Sequence, residues 1–240
     1  LLSSTCEQQK AVDRSATEAP EMHTTMLNLL GSYQIANGDP ELAAQTFKSI
    51  IEEYPKDAGA LNNYAYIVAT SLGRAGDALP YAQRAIAIEP RSVDILDTIS
   101  TIHALLGEHE KSMVSRLRHH TLEPDNVEVV LEISRSYMSH YEDAEKALEF
   151  AEVASKIMPK DPEVMGTLGW SYYRTGESNL GEEMLRSSIK LGPTPRAHLY
   201  MAQVFIDQSQ LGKASAHLQA GLDLSPDLAT REEIERIQDD

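Results

Sequence analysis

Six prolines stand almost in phase along this chain: Pro55, Pro90, Pro124, Pro159, Pro193 and Pro226, separated by 35, 34, 35, 34 and 33 residues. A proline has no N–H to give a helix and clashes with the preceding turn, so each marks a place where a helix stops. The run before Pro90 carries Ala82, Ala85, Ile86 and Ile88 at helical spacing, so one helix per period ends at the proline. A second helical stretch lies upstream in every period, with a small residue at an equivalent place: Gly31, Ala65, Ser100, Ser134, Gly169 and Ala202. Each is preceded by an apolar residue, Leu30, Tyr64, Ile99, Ile133, Leu168 and Met201, and the pair marks where two antiparallel helices press closely together. The second helices show small or apolar residues at spacing four then three, as in Ala43, Phe47, Ile50 and Ala147, Ala151, Ala154, a stripe that faces the neighbouring helix. Between the helices stand Asn37-Gly38-Asp39, Leu106-Gly107-Glu108 and Thr175-Gly176-Glu177, where Gly supplies the left-handed conformation that closes a helix. Each period is therefore a helix–turn–helix, and such units stack so that each touches only its neighbours.

Composition narrows what such a stack does. Against 21 Lys and Arg stand 37 Asp and Glu among 240 residues, a formal charge of −16, which argues against nucleic acid as a partner. An apolar content of 42% is enough to bury a core, and 6% aromatics suits close helix packing. With a single cysteine, Cys6, no internal disulfide or thiolate metal cluster forms. No stretch reaches the roughly 18 consecutive apolar residues of a membrane helix. Leu1 to Cys6 reads as the tail of a removed signal, but Ser3 stands where a lipoprotein signal usually has Leu, so a lipid anchor on Cys6 is the alternative to a plain exposed terminus. Residues 1–22 show little apolar periodicity and read as a flexible leader. The compartment, cytoplasmic or periplasmic, stays open.

At this point the chain resembles the tetratricopeptide repeat family, in particular bacterial-type members, with a unit of about 34 residues patterned Trp-x2-Leu-Gly-x2-Tyr, then Ala-x3-Phe, then Pro. Met165-Gly166-Thr167-Leu168-Gly169-Trp170-Ser171-Tyr172, followed by Gly181, Leu185 and Pro193, carries the resemblance, with Met for the family's Trp. Asn62-Asn63-Tyr64-Ala65 through Ala78, Ala82 and Ala85 to Pro90 carries it again. The resemblance implies an all-α, right-handed solenoid over residues 23–226, in units of about 24–57, 58–92, 93–126, 127–161, 162–194 and 195–226, with residues 227–240 as a capping helix. Periods of 35 imply single insertions, placed in the turns around Ser71 to Arg74 and Ser139 to Glu142. In the third unit Ser112, Arg116 and His119 fall where the family has small or apolar residues. A charge in a seam is costly unless paired, so the second helix of that unit is expected to rotate and bury Met113, Val114 and Leu117.

Enzyme signatures fail. His109-Glu110 meets Met113 where a zinc protease has His, and nucleophile-elbow and phosphate-loop motifs are missing. Ser187-Ser188-Ile189-Lys190 fits Ser-x-x-Lys without its companion motifs, and Ser188 holds a seam place. His119-His120 beside Arg116 and Arg118 point about 100° apart on a helix and read as a solvated cationic patch. The expectation is a chain that is not an enzyme and has no cofactor or metal.

The resemblance implies instead a protein-binding scaffold whose first helices line an inner, concave face. That face would carry Asn28 and Ser32; Asn62, Asn63 and Tyr66; Asp94, Asp97, Thr98 and Thr101; Glu128, Glu132 and Arg135; Glu163, Thr167, Trp170 and Tyr173; Arg196, Tyr200 and Gln203. Asp94, Asp97, Glu128, Glu132 and Glu163 would line the middle of one groove, a field that attracts a basic, Lys- or Arg-containing segment. Trp170, Tyr173, Tyr66 and Tyr200 would be aromatic anchors, with Trp170 exposed to the groove. Family members that clamp a terminal carboxylate use Lys and Asn in the first unit, Asn in the second, and Lys and Arg in the third. Asn63 fits, but Asn28, Ser32, Asp94 and Thr98 stand at the other places, so that ligand is not expected. Two further readings remain at this stage. One is a lipid-anchored or periplasmic factor for assembling envelope machinery such as secretion, pilus or polysaccharide systems; the other is a regulatory segment of a longer enzyme.

Overall fold

The structure, a computed structural model, describes residues 20–239. Cys6, on which the lipid-anchor reading rests, and the leader up to residue 19 lie outside the described residues. Within them the chain is a succession of helices without a strand: α1 Pro20–Ala36, α2 Pro40–Glu53, α3 Ala58–Thr70, α4 Ala75–Ile88, α5 Val93–Leu105, α6 His109–Leu122, α7 Val127–His140, α8 Ala144–Ile157, α9 Pro162–Arg174, α10 Ser178–Leu191, α11 Pro195–Asp207, α12 Leu211–Asp223 and α13 Leu228–Asp239. They fall into two compact units that part between Leu122 and Glu123. In the first, each helix packs on the next, and α3 also packs on α5; α1 lacks the broad contact with α3 that α3 makes with α5. In the second, α7 packs on α9 and α9 on α11 besides the sequential contacts. Helix α13 packs on α12 and α11, the two neighbours a further odd-numbered helix would have, and buries Ile234 completely. The fold is the all-α helical-repeat solenoid, with α13 as its cap.

Short polar residues start the odd helices. The side chains of Asp57, Asn126, Asp161, Thr194 and Asp227 accept hydrogen bonds from the backbone N–H three residues on, at Ala60, Val129, Val164, Ala197 and Thr230. Each satisfies one donor that a helix start leaves orphaned. Every connection from an odd helix to its even partner contains one residue in the left-handed region. It is glycine at Gly38, Gly73, Gly107 and Gly176, but Glu142 and Ser209 take the same conformation at φ 51° and 58°. The residue after each closes the turn with a backbone bond back into the helix. That bond spans five residues from Asp39, Glu108, Glu177 and Gln210 and six from Arg74 and Asp143. Both insertions are thus taken up in the turns where the 35-residue periods place them.

The seam inside each repeat is held by the in-phase small residues and a second set twelve or thirteen positions on: Gly31 with Ala43, Ala65 with Ala78, Ser100 with Ser112, Ser134 with Ala147, Gly169 with Gly181, and Ala202 with Ala214. A Cβ added at Gly181 would lie 2.6 Å from both the Gly169 carbonyl oxygen and the Tyr173 nitrogen, and one at Gly31 would lie 2.5 Å from the Phe47 ring. Around these points Phe47, Ile50, Leu61, Ile67 and Ile102 are fully buried in the first unit, and Leu185, Leu199 and Met201 in the second. Each contributes roughly 1.5–3 kcal/mol of burial.

The third repeat does not rotate. Val114 is 66% exposed, whereas Ser112, Ser115 and His119 are buried with Met113. The polar seam is tolerated because it is hydrogen-bonded: Ser112 Oγ donates to the Ser100 carbonyl at 2.8 Å, and Arg116 donates to Ser112 Oγ at 2.8 Å. His119 therefore does not belong to a solvated patch with His120. Arg118, on the exposed side, donates to the Pro90 carbonyl, as Arg84 does to Pro55 one repeat earlier.

In the last repeat His198 of α11 and His217 of α12 bring their Nδ1 atoms to 3.0 Å, so one ring donates and the other accepts, an arrangement that two protonated rings cannot form. Burial pushes both below the ordinary histidine value, and for His217 the neighbouring His198 and Arg186 add to it. A histidine depressed in the folded state stabilises fully above the unfolded value of about 6.5, and that stability is lost as pH falls below it. The urea midpoint should therefore drop between pH 7.5 and 5.5, and His198→Leu/His217→Leu should flatten that dependence. Substituting Gly181→Ala should destabilise by about 1–3 kcal/mol or more, because the obstacles are backbone atoms. Ser209→Gly should stabilise by roughly 0.5–1 kcal/mol by relieving the left-handed turn. Both are measured by urea denaturation.

Candidate functional site

In the first unit, the outward face of the odd helices is open. Leu29 is 66% and Tyr66 48% exposed, with Ile35 and Leu105 also exposed. Asp94 and Asp97 are exposed, while Asn62, Asn63 and Thr101 are half-buried. The Oδ1 of Asn62 is buried without a hydrogen-bond partner, an acceptor left unused. Helices α1, α3 and α5 contain no Lys or Arg at all. Beside α1 lies a cleft of about 750 Å3 lined by Thr24, Thr25, Asn28, Glu53, Tyr54, Pro55, Lys56 and Asp57. A carboxylate neighbour at Glu53, together with burial, raises the Tyr54 phenol above its ordinary value.

The corresponding face of the second unit is filled by its own side chains. Trp170 is 5% exposed and Tyr200 6%, which corrects the expectation of an exposed Trp170 and of Tyr200 as a free anchor. Trp170 stacks on Tyr200 at 5.2 Å and 5° and on Tyr173 at 5.7 Å and 11°, with the Arg174 guanidinium 5.3 Å from the Trp170 ring centre. Removing an indole from water between two rings is worth more than leaving it in an empty groove. Only Tyr173 of this stack stays half-exposed, its phenol raised by burial and by Asp207. Burial raises the phenol of Tyr200 as well.

The acids here are also engaged. Arg135 bonds Glu132 at 3.2 Å and Glu163 at 2.5 Å; Arg196 lies 3.6 Å from Glu163 and 3.5 Å from Asp227 and donates to Thr230 Oγ1 at 2.6 Å. This ladder runs from α7 through α9 and α11 to the start of α13. Burial works against the Arg196 charge, yet Tyr200, Asp227, Glu163 and Glu132 hold its pKa above the ordinary value. Of the five acids expected to form one wall, Asp94 and Asp97 belong to the first unit. Glu128, Glu132 and Glu163 belong to the second, and of these Glu128 is exposed. The aliphatic part of the first unit's face, Leu29 and Ile35, escaped sequence reasoning. Their spacing with Asn28 and Ser32 along one side of α1 was the available signal.

Of the Ser-x-x-Lys match, Ser187 and Lys190 are exposed on α10, while the adjacent Ser188 is buried and its Oγ donates to the Pro162 carbonyl at 2.6 Å. Among the described residues no group of three or more His, Cys, Asp or Glu is placed to hold a metal ion, and no helix is long and apolar enough to cross a membrane.

Stacked antiparallel helix pairs with open faces define a repeat solenoid of the kind that presents surface rather than a reaction pocket. The sequence profile described as Tetratricopeptide repeat matches residues 28–93. No curated protein matches it. Among solved structures it is similar to Pseudomonas aeruginosa pilF, at 16% identity over 96% of this chain and 99% of that one, with a TM-score of 0.65. It is likewise similar to YrrB, described as a TPR protein with an unusual peptide-binding site, at 15% identity over 80% and 99% with a TM-score of 0.56. Similarity to MamA from Desulfovibrio magneticus RS-1 stands at 17% over 70% and 94%, with a TM-score of 0.56. At these identities the likeness concerns the fold.

Replacing Glu163→Gln would leave two largely buried guanidinium groups short of a counter-charge. A loss of about 1–3 kcal/mol in urea-unfolding free energy is expected, discounted for partial exposure. Asp94→Asn, on an open face, should change stability by less than about 0.5 kcal/mol.

Proposed function

We propose that this chain is a non-enzymatic scaffold that binds a segment of another protein along the open face of its odd-numbered helices, and that the segment carries Lys or Arg. The observation that supports this is the charge distribution of the first unit. Its odd helices expose Asp94 and Asp97 with no cation on any of the three, beside the apolar Leu29, Ile35 and Tyr66. Like charges on one face sum to a field that steers a cationic segment. Exposed apolar side chains supply the area that holds it once docked. Glu128, in the second unit, is exposed as well. YrrB, with its peptide-binding site, supports a peptide as the occupant. Work in envelope assembly, or as the scaffold part of a longer enzyme, would use the same face.

Affinity capture from the native host's lysate tests this, comparing the wild type with Asp94→Asn/Asp97→Asn/Glu128→Gln by mass spectrometry. Glu132 and Glu163 are left intact because their removal would strand Arg135. Basic proteins retained by the wild type and lost by the variant, and lost also when NaCl is raised from about 50 to 300 mM, are the expected result. Identical retention by both proteins would mean that these acids are only a solvated face.

A further inference from the structure

We propose that His198 of α11 and His217 of α12 form a two-nitrogen site for a late first-row divalent transition metal ion, Cu2+, Ni2+ or Zn2+, which clips the two helices of the last repeat together. The pair could not be read from neighbouring residues in the sequence, because its members stand 19 positions apart and the fold brings them face to face. It is independent of what docks on the odd helices.

The register of the repeats singles these two residues out. His198 lies four residues before the first small seam residue, Ala202, and His217 three after the second, Ala214. In the other five repeats the first of these places holds Leu27, Leu61, Leu96, Val130 and Met165, and the second is histidine in none of them. An apolar side chain is thus what the fold asks for at the first place, whereas the imidazole there is 9% exposed and needs partners for its nitrogens. A chain that leaves its own repeat pattern at two facing places, with the same metal-ligating residue at both, does so where function is expected.

The geometry suits an ion. Nitrogens held at about 2.0–2.1 Å from a metal lie about 2.9 Å apart when they meet it at a right angle and about 3.3 Å apart at the tetrahedral angle. The two Nδ1 atoms are 3.0 Å apart, the spacing of neighbouring corners in the square-planar or octahedral shells of Cu2+ and Ni2+. Without the ion the same spacing is a ring N–H···N hydrogen bond, so binding asks for a turn of the rings and little movement of the helices. The donating ring passes its proton from Nδ1 to Nε2, and both Nδ1 lone pairs then face the ion with no proton lost. Burial holds both imidazoles below the ordinary histidine value and so favours the neutral form that carries those lone pairs. His217 is half-buried, so water reaches it to complete the shell.

Arg186 of α10 acts on His217 through its charge and opposes a metal as it opposes a proton. Its guanidinium is bonded to Glu182 Oε1 at 2.5 and 3.1 Å, which sets a negative charge beside it. Behind the pair lies the cap: a Cβ on Gly221 would be 3.5 Å from His198 Cβ and 3.1 Å from Ile234 Cδ1. The tie therefore acts on the repeat that α13 closes.

The experiment uses the intact chain without a histidine tag. Calorimetric titration at pH 7.5 with CuCl2, NiCl2 and ZnCl2 should show binding, tightest for Cu2+, and MgCl2, whose ion prefers oxygen, should not compete. Long-range 1H–15N spectra of the wild type should show Zn2+ shifting two of the eight histidines, both at Nδ1. His217→Gln should weaken Ni2+ binding about tenfold or more, and His120→Gln should leave it unchanged. NiCl2 should raise the urea midpoint of the wild type and not that of His198→Leu/His217→Leu. Shifts confined to other histidines, Ni2+ binding retained by His217→Gln, or no binding of any of the three ions would overturn the site. The wild-type spectra carry the test even where a substitution unfolds the chain.

Discussion

Everything in the stacking of this chain depends on bringing two helix backbones together at one point in each repeat. At Gly181 the approach is so close that a Cβ has no room, and one at Gly169 would press on the Gly181 carbonyl and the Leu185 nitrogen at 3.0 Å. The first repeat pairs Gly31 with Ala43, and in the remaining repeats alanine or serine occupies both places. Close approach lets the long apolar residues on either side, such as Leu185, Leu199 and Met201, interdigitate without voids, and so converts a weak amphipathic pattern into buried area. Because the same contact recurs every 33 to 35 residues, its geometry repeats as well. Within each unit the odd helices are carried to equivalent places.

Serine shows how that constraint is met by different chemistry. In the third repeat Ser112 donates to the Ser100 carbonyl across the seam, and in the fourth Ser134 donates to the Ala147 carbonyl at 2.7 Å. A hydroxyl buried without a partner would cost a few kcal/mol, so a small polar residue is acceptable there only because the opposing backbone is within reach. The same closeness that excludes large side chains supplies the acceptor. Arg116 is then held by Ser112, and the helix keeps the orientation of its counterparts instead of turning its apolar Val114 inward.

Much of this was legible in the sequence because it rests on steric facts written one residue at a time. Prolines give the helix ends, the small residues give the seam, and the extra residue in two periods has to go into a turn. What escaped was whatever depends on a partner elsewhere in the chain. Glu142 and Ser209 carry no glycine signal, yet the turn length forces them into the left-handed region. Polarity alone suggested a rotated helix in the third repeat, since the carbonyl that satisfies Ser112 cannot be seen in a one-dimensional pattern. Trp170 was placed on the correct face, but its burial follows from Tyr200, thirty residues away in the next repeat. The acids Glu132 and Glu163 were identified as facing residues, and their neutralisation follows from Arg135 and Arg196 on that very face.

That last point separates two uses of one architecture. A carboxylate that meets a guanidinium of its own chain has its field cancelled within a few ångströms, and what remains is a tie between neighbouring helices. The ladder of the second unit, continued by Asp227 and Thr230 into the cap, is such a tie, and the aromatic stack beside it removes the remaining apolar surface from water. The first unit has the same helix order with no Lys or Arg on its odd helices, so no such ladder ties them. Its apolar residues on that face are left outside the core. The fold does not bury these side chains, so their acidic and apolar character stays at the surface of the unit, where in the second unit the same positions are spent on tying helix to helix.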